Sequence, residues 1–255
     1  MRINKTVPLL MLLFIIVSSG QGAGQAFRGD GDFEFFLDAG SLPQRGGRII
    51  ELFQIAVPTK EIEYKETDGS YRAAVSIYIL LQSGGETVHE RQLMISDVRD
   101  EPPAANDLTG FLYISDSCSV APGSYELSVR VEDQNRKKKT LFGMLRKKND
   151  LSSFEMAPLE VRHYPADELV LSEPFLLWGK QEDGRYIPNP MGIYGLKNDT
   201  ISFFAHAMVP DGIPADRLEF FLTVEDDRGQ TVDSVYTVHA VRDGQASIFG
   251  VFDVN

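Results

Sequence analysis

Seven cations within thirteen positions are the strongest chemical signal in this chain. Arg136, Lys137, Lys138 and Lys139, then Arg146, Lys147 and Lys148, bracket the run Thr140 to Leu145 in a protein of formal charge −12. Such a segment suits an anionic polymer or a membrane surface, with Leu141, Phe142, Met144 and Leu145 as insertable tips. The competing reading is a solvated hairpin between strands, because like charges repel and stay in water. Trp178, Tyr186 and Tyr194 form a second candidate set. They have the makings of a platform on which a sugar ring stacks, or else they are core and strand-edge aromatics.

The remaining chemistry-bearing residues are scattered. His89, His163, His206 and His239 show no His-x-x-x-His spacing, so a zinc site would have to converge across strands, and His206 reads as a surface or rim position. Asp30 with Asp32, and Asp226 with Asp227, offer calcium ligands but too few, and read as turn acids. Arg28-Gly29-Asp30 matches an adhesion tripeptide in what reads as an exposed leader. No Gly-x-Ser-x-Gly, phosphate loop or dinucleotide fingerprint is present after the first 26 residues. The expectation is therefore no catalytic residues, no metal and no cofactor.

Strands must position whatever these residues do. Tyr71, Ala73, Val75, Ile77, Ile79 and Leu81 alternate with more polar neighbours, which is the period of a strand with one face on a core. Ser83-Gly84-Gly85 turns the chain and Glu86 to Ile95 returns. The device recurs at Leu218, Phe220, Leu222 and Val224, with Gln230 to Val238 as the second arm. Glu51 to Pro58 echoes Phe203 to Pro210, and each precedes a hairpin. Phe27 to Asp32 reads as a flexible leader, Phe33 to Asp38 as a strand, Gly40 to Gly47 as a loop around Pro43, and Arg48 to Val57 as the next strand. Short strands punctuated by Gly, Pro, Asn and Asp, with no long helical period, predict an all-β chain of two antiparallel immunoglobulin-like sandwiches in tandem.

The first 26 residues read as a secretory signal: basic Arg2 and Lys5, an apolar run Val7 to Val17, and a small, polar end cut after Ala26 or nearby, such as after Gly22. Their removal moves the formal charge from −12 to −14. An acidic exported chain is a poor ligand for nucleic acid, whose affinity rests on phosphate neutralisation. Cys118 is the only cysteine, which fits a core-stabilised bacterial domain rather than a disulfide-stapled module. No later stretch is long and apolar enough to be a transmembrane span.

Four segments resemble the N-terminal region of bacterial GWxTD-domain proteins: Arg48 to Tyr64, Ala121 to Gln134, Tyr186 to Gly195 with its Pro-Asn-Pro, and Leu222 to Val232. The naming motif is absent, since Trp178 is followed by Gly179-Lys180. The resulting expectation is a signal peptide over 1–26, a first sandwich over 27–165 and a second, C-terminally incomplete sandwich over 166–255. The function expected is a non-catalytic binding or assembly module of the bacterial cell envelope, in the periplasm, at the outer membrane or secreted. Its partner would be a protein or an envelope polymer, and the sequence leaves its identity and the oligomeric state open. The alternatives are an accessory region whose active part lies beyond Asn255, or a carbohydrate-binding module.

Overall fold

A computed structural model describes residues 25–31, 33–104, 110–136, 152–180, 186–192, 200–210, 212–225 and 228–253. Within them the chain is an all-β, antiparallel sandwich protein. The strands are β1 (Gln25–Gly31), β2 (Phe35–Gln44), β3 (Arg48–Pro58), β4 (Lys65–Thr67), β5 (Ser70–Ser83), β6 (Glu86–Arg99), β7 (Phe111–Val120), β8 (Gly123–Asp133), β9 (Ser152–Val161), β10 (Val170–Leu171), β11 (Phe175–Lys180), β12 (Tyr186–Pro188), β13 (Thr200–Met208), β14 (Arg217–Glu225), β15 (Thr231–Ala240) and β16 (Gln245–Asp253).

The hairpin β5–β6 forms as its alternation requires. Ala73, Val75, Ile77, Ile79 and Leu81 are buried, each large aliphatic contributing about 1.5–3 kcal/mol by leaving water. Gly84 and Gly85 take positive φ (57° and 84°), which closes the turn with the twist the strands need. β5 pairs β6 on one side and β8 on the other, and β8 pairs β9. Across the core lies the sheet β1–β2–β3–β7. β1 joins the two layers: Gln25 to Gly29 pair with β2, then Asp30 and Gly31 pair with β9. Phe35, Leu37, Phe53, Ile55 and Val57 meet Val75, Ile77, Ile79, Leu127, Val129 and Val131 in one apolar cluster.

A second cluster lies further along the chain. Phe203, Ala205 and Ala207 of β13, with Ala246, Ile248 and Phe252 of β16, pack against Leu218, Phe220 and Leu222 of the hairpin β14–β15. β13 is the centre of its sheet, pairing β16, β10 and β11, while β12 pairs β11. The echo between Glu51–Pro58 and Phe203–Pro210 thus falls on β3 and β13, two central strands that each precede a hairpin. β5 is flanked on both sides, whereas β14 pairs only β15 among the described residues.

The two sets of sheets are stacked. β2 and β3 are buried on both faces, because the face turned away from the first cluster is covered by the β10–β13 sheet. The ring of Phe175 lies over Gly40, where an added Cβ would come within 2.8 Å of Phe175 Cζ. Gln245 Nε2 donates to Gln44 Oε1 at 3.4 Å, and Tyr164 OH donates to the Ser41 carbonyl at 3.1 Å.

Two local elements differ from what the sequence pattern predicts. Phe27 to Asp32 is no free leader: most of it belongs to β1, held by backbone pairing to two partners, which a side-chain pattern does not record. Gly40 to Pro43 continues β2, with Pro43 opposite Ile49 next to the end of the ladder, and the turn is only Arg45–Gly47.

Candidate functional site: a buried acidic junction and an open hairpin face

Residues directly opposite each other in an antiparallel ladder share a face. Asp38 is opposite Gln54 and Gly40 is opposite Leu52, so Asp38 and Gln54 lie on the Phe175 side, between the sheets. Asp38 is 3% exposed, and its Oδ1 and Gln54 Oε1 have no hydrogen-bond partner among the described residues. Burial pushes the Asp38 carboxyl up to about 7, and the charge of Glu173, just before β11, adds to the rise. Glu173 itself pairs with Arg162 at 2.6 Å.

Ser41 and Glu51 are opposite each other on the other face, turned toward the first cluster. Ser41 Oγ donates to Glu51 Oε2 at 2.6 Å, while Oε1 has no partner among the described residues. Burial holds the Glu51 carboxyl up at about 7, against the Ser41 hydrogen bond, with Glu173 and Asp38 reinforcing it. Cys118 is opposite Glu51 on β7 and half-buried; burial, then Glu51 and Asp116, push its thiol up to about 11. That environment suppresses the thiolate a nucleophile requires. His89 Nε2 lies 2.9 Å from Asp116 Oδ2, its ring stacked 6.4 Å from Phe53.

The sequence-predicted candidates fall as follows. Arg136 is tied down, donating to the Glu61 carbonyl at 3.4 Å and lying 5.6 Å over the Phe33 ring. Lys137, Lys138, Lys139, Arg146, Lys147 and Lys148 lie outside the described residues, as do Tyr194, Asp32, Asp226 and Asp227. Trp178 is half-buried in β11. Tyr186 is exposed, but one face of its ring stacks on Phe249 at 4.1 Å, closing a row with Phe204 (5.1 Å from Phe249) and Phe175 (6.4 Å from Phe204). His206 is no rim residue. It lies half-buried with its Nε2 without a partner among the described residues, and burial lowers its pKa. His239 is also lowered by burial and lies 2.9 Å from Thr237 Oγ1. The Arg28-Gly29-Asp30 tripeptide is part of a strand: Arg28 pairs with Glu34, and the Phe35 ring occupies the space a Gly29 side chain would need. Among the described residues no group of three or more His, Cys, Asp or Glu is placed to hold a metal ion.

Sequence reasoning missed the two acids. Glu51 carried a signal, as the one carboxylate on the face Ile49, Phe53, Ile55 and Val57. Asp38 carried none, because its face is buried only by the sheet that stacks on it.

The outer face of β14–β15 is the reverse case, apolar where water is expected. Phe221 is opposite Tyr236, and Glu219 opposite Val238. Tyr236 is 58% exposed, Val238 50% and Phe221 37%, with Val232 beyond them on the same face. On this face the Tyr236 hydroxyl donates to Glu219 Oε2 at 2.7 Å, and Arg217 pairs with Glu219 Oε1 at 3.5 Å. No protein family matches the chain, and neither a curated protein nor a solved structure matches it.

Proposed function

We propose that this chain is an exported, non-catalytic binding module that assembles with a protein of the bacterial cell envelope. The observation that carries the reading is the β14–β15 hairpin: an apolar outer face beside a strand whose far edge has no pairing partner among the described residues. Unpaired backbone groups beside exposed Phe221, Tyr236 and Val238 are what an added extended segment recognises, the backbone giving affinity and alternate side chains giving specificity. The signal-like start supports export, and the register of β1 favours the cleavage site after Gly22. Cutting after Ala26 would remove Gln25 and Ala26, which pair with Ala39 and Asp38. The resemblance to GWxTD-domain proteins supports an envelope setting. Sugar stacking at Trp178 and Tyr186 is the weaker reading, because Phe249 takes one face of Tyr186.

The test is binding of extended peptides with alternating apolar residues, read by fluorescence anisotropy. Binding should be lost on N-methylation of the peptide backbone, and in Tyr236→Lys and Val238→Lys, whose unfolding midpoints stay close to the parent's because surface substitutions shift stability little. Glycan or lipid binding in place of any peptide binding would overturn the reading.

A further inference from the structure

The stacked sheets bury two hydrogen-bond acceptors opposite each other, and no described residue supplies either with a donor. Asp38 Oδ1 and Gln54 Oε1 belong to directly paired residues on one face of β2–β3, 3% and 6% exposed. Side chains so paired start about 4.5–5.5 Å apart at Cβ, within reach of each other. Two lone acceptors in a buried pair are costly, and each orphaned group carries its full desolvation penalty. A proton on Asp38 removes that penalty, because a neutral carboxyl has an O–H to donate.

The surroundings favour the proton. Glu173, from the connection between β10 and β11, raises the Asp38 carboxyl by its charge, and Arg162 is paired with Glu173. On the opposite face of the same strands lie Glu51 and Ser41, with Cys118 and Asp116 across on β7 and His89 against Asp116. From the C-terminal sheet, β13 turns His206 toward β2 on the face of Phe204 and Met208, and burial lowers the pKa of that imidazole. Two residues from Asp38 the Phe175 ring rests on Gly40. The acid therefore sits where the two sets of sheets are pressed together.

We propose that this junction is a proton-operated clasp, in which neutral Asp38 donates to Gln54 and seats the β10–β13 sheet on β2–β3, and in which loss of that proton beside Glu173 unseats it. The balance is simple: docking takes up one proton, and undocking at higher pH releases it to solvent. The docked state binds the proton more tightly than the undocked state, so docking is favoured at low pH and weakens as pH rises. With the docked carboxyl near 7 and an ordinary aspartate when solvated, the opening constant should rise about tenfold between pH 6 and pH 8.

The experiment uses the full chain. Carboxyl carbon-13 NMR follows Asp38, and amide hydrogen exchange, corrected for intrinsic base catalysis, follows opening at Phe175–Leu177 and on β2. The expected result is an Asp38 midpoint near 7 and an opening constant that rises about tenfold over the stated range. Asp38→Asn should abolish the rise, Glu173→Gln should move the midpoint to lower pH, and Glu51→Gln, on the other face, should leave the rise in place. Titration of Asp38 below pH 5 would overturn the proposal. So would equal opening at pH 6 and pH 8, a rise that survives in Asp38→Asn, or one that vanishes in Glu51→Gln. If Asp38→Asn does not fold, the two measurements on the parent chain decide the matter.

Discussion

Gly250 is a position at which a single added methyl group should be costly. It lies in β16 directly opposite Phe203 of β13. A Cβ there would come 2.1 Å from Phe203 Cε1 and 2.4 Å from Cζ. The ring cannot recede freely, because it is buried and stacked on Phe252 at 5.7 Å and 17°. Overpacking of this kind costs about 1–3 kcal/mol, and a rigid ring places it toward the upper end. Gly250 is not at positive φ, so alanine also gains about 0.4–1 kcal/mol by restricting the unfolded chain. The net expectation for Gly250→Ala is a loss of about 1–2 kcal/mol, read as a lower urea midpoint at unchanged slope. Phe203→Leu removes the obstructing ring edge. In that background Gly250→Ala should be neutral or slightly stabilising, giving a coupling of about 1–2 kcal/mol in the double-mutant cycle. Equal losses in both backgrounds, or no loss in the parent, would refute the steric account. The same arrangement stands in the N-terminal sheets, where Phe35 lies over Gly29.

Two further outcomes follow from the buried acids and the thiol. Glu51 titrates near 7 when folded and at an ordinary carboxylate value when unfolded, so the folded state binds the extra proton between those values and stability falls as pH rises through that window. Glu51→Gln should therefore leave stability unchanged near pH 4 and raise it at pH 8 by up to about 3 kcal/mol, checked by urea unfolding at both values; an equal effect at both would contradict it. Cys118, its thiol pushed by burial from an ordinary 9.0 up to about 11, should alkylate with iodoacetamide at pH 7.5 about a hundredfold more slowly in the folded chain than in urea, measured by mass spectrometry. Comparable rates in the two states would show the thiol to be freely ionisable.

Local sequence pattern was enough for the elements whose signal spans only a few residues. The alternation from Ala73 to Leu81 and from Leu218 to Leu222 requires strands with one buried face, and Gly84-Gly85 requires a tight turn, because side-chain direction and backbone freedom are set within a few residues. It also made Glu51 visible as a carboxylate in an apolar series. Tertiary structure decided the rest. β1 has too few apolar residues to announce itself, and is a strand because β2 and β9 offer it backbone partners. β2 and β3 are buried twice over only because a sheet formed more than 100 residues later rests on their outer face. Asp38, Gln54 and His206 owe their burial to that same stacking, and no pattern within a single strand encodes it. Period-two alternation states which residues share a face; what covers the second face depends on how distant sheets meet, and here that contact buries the acid on which the junction turns.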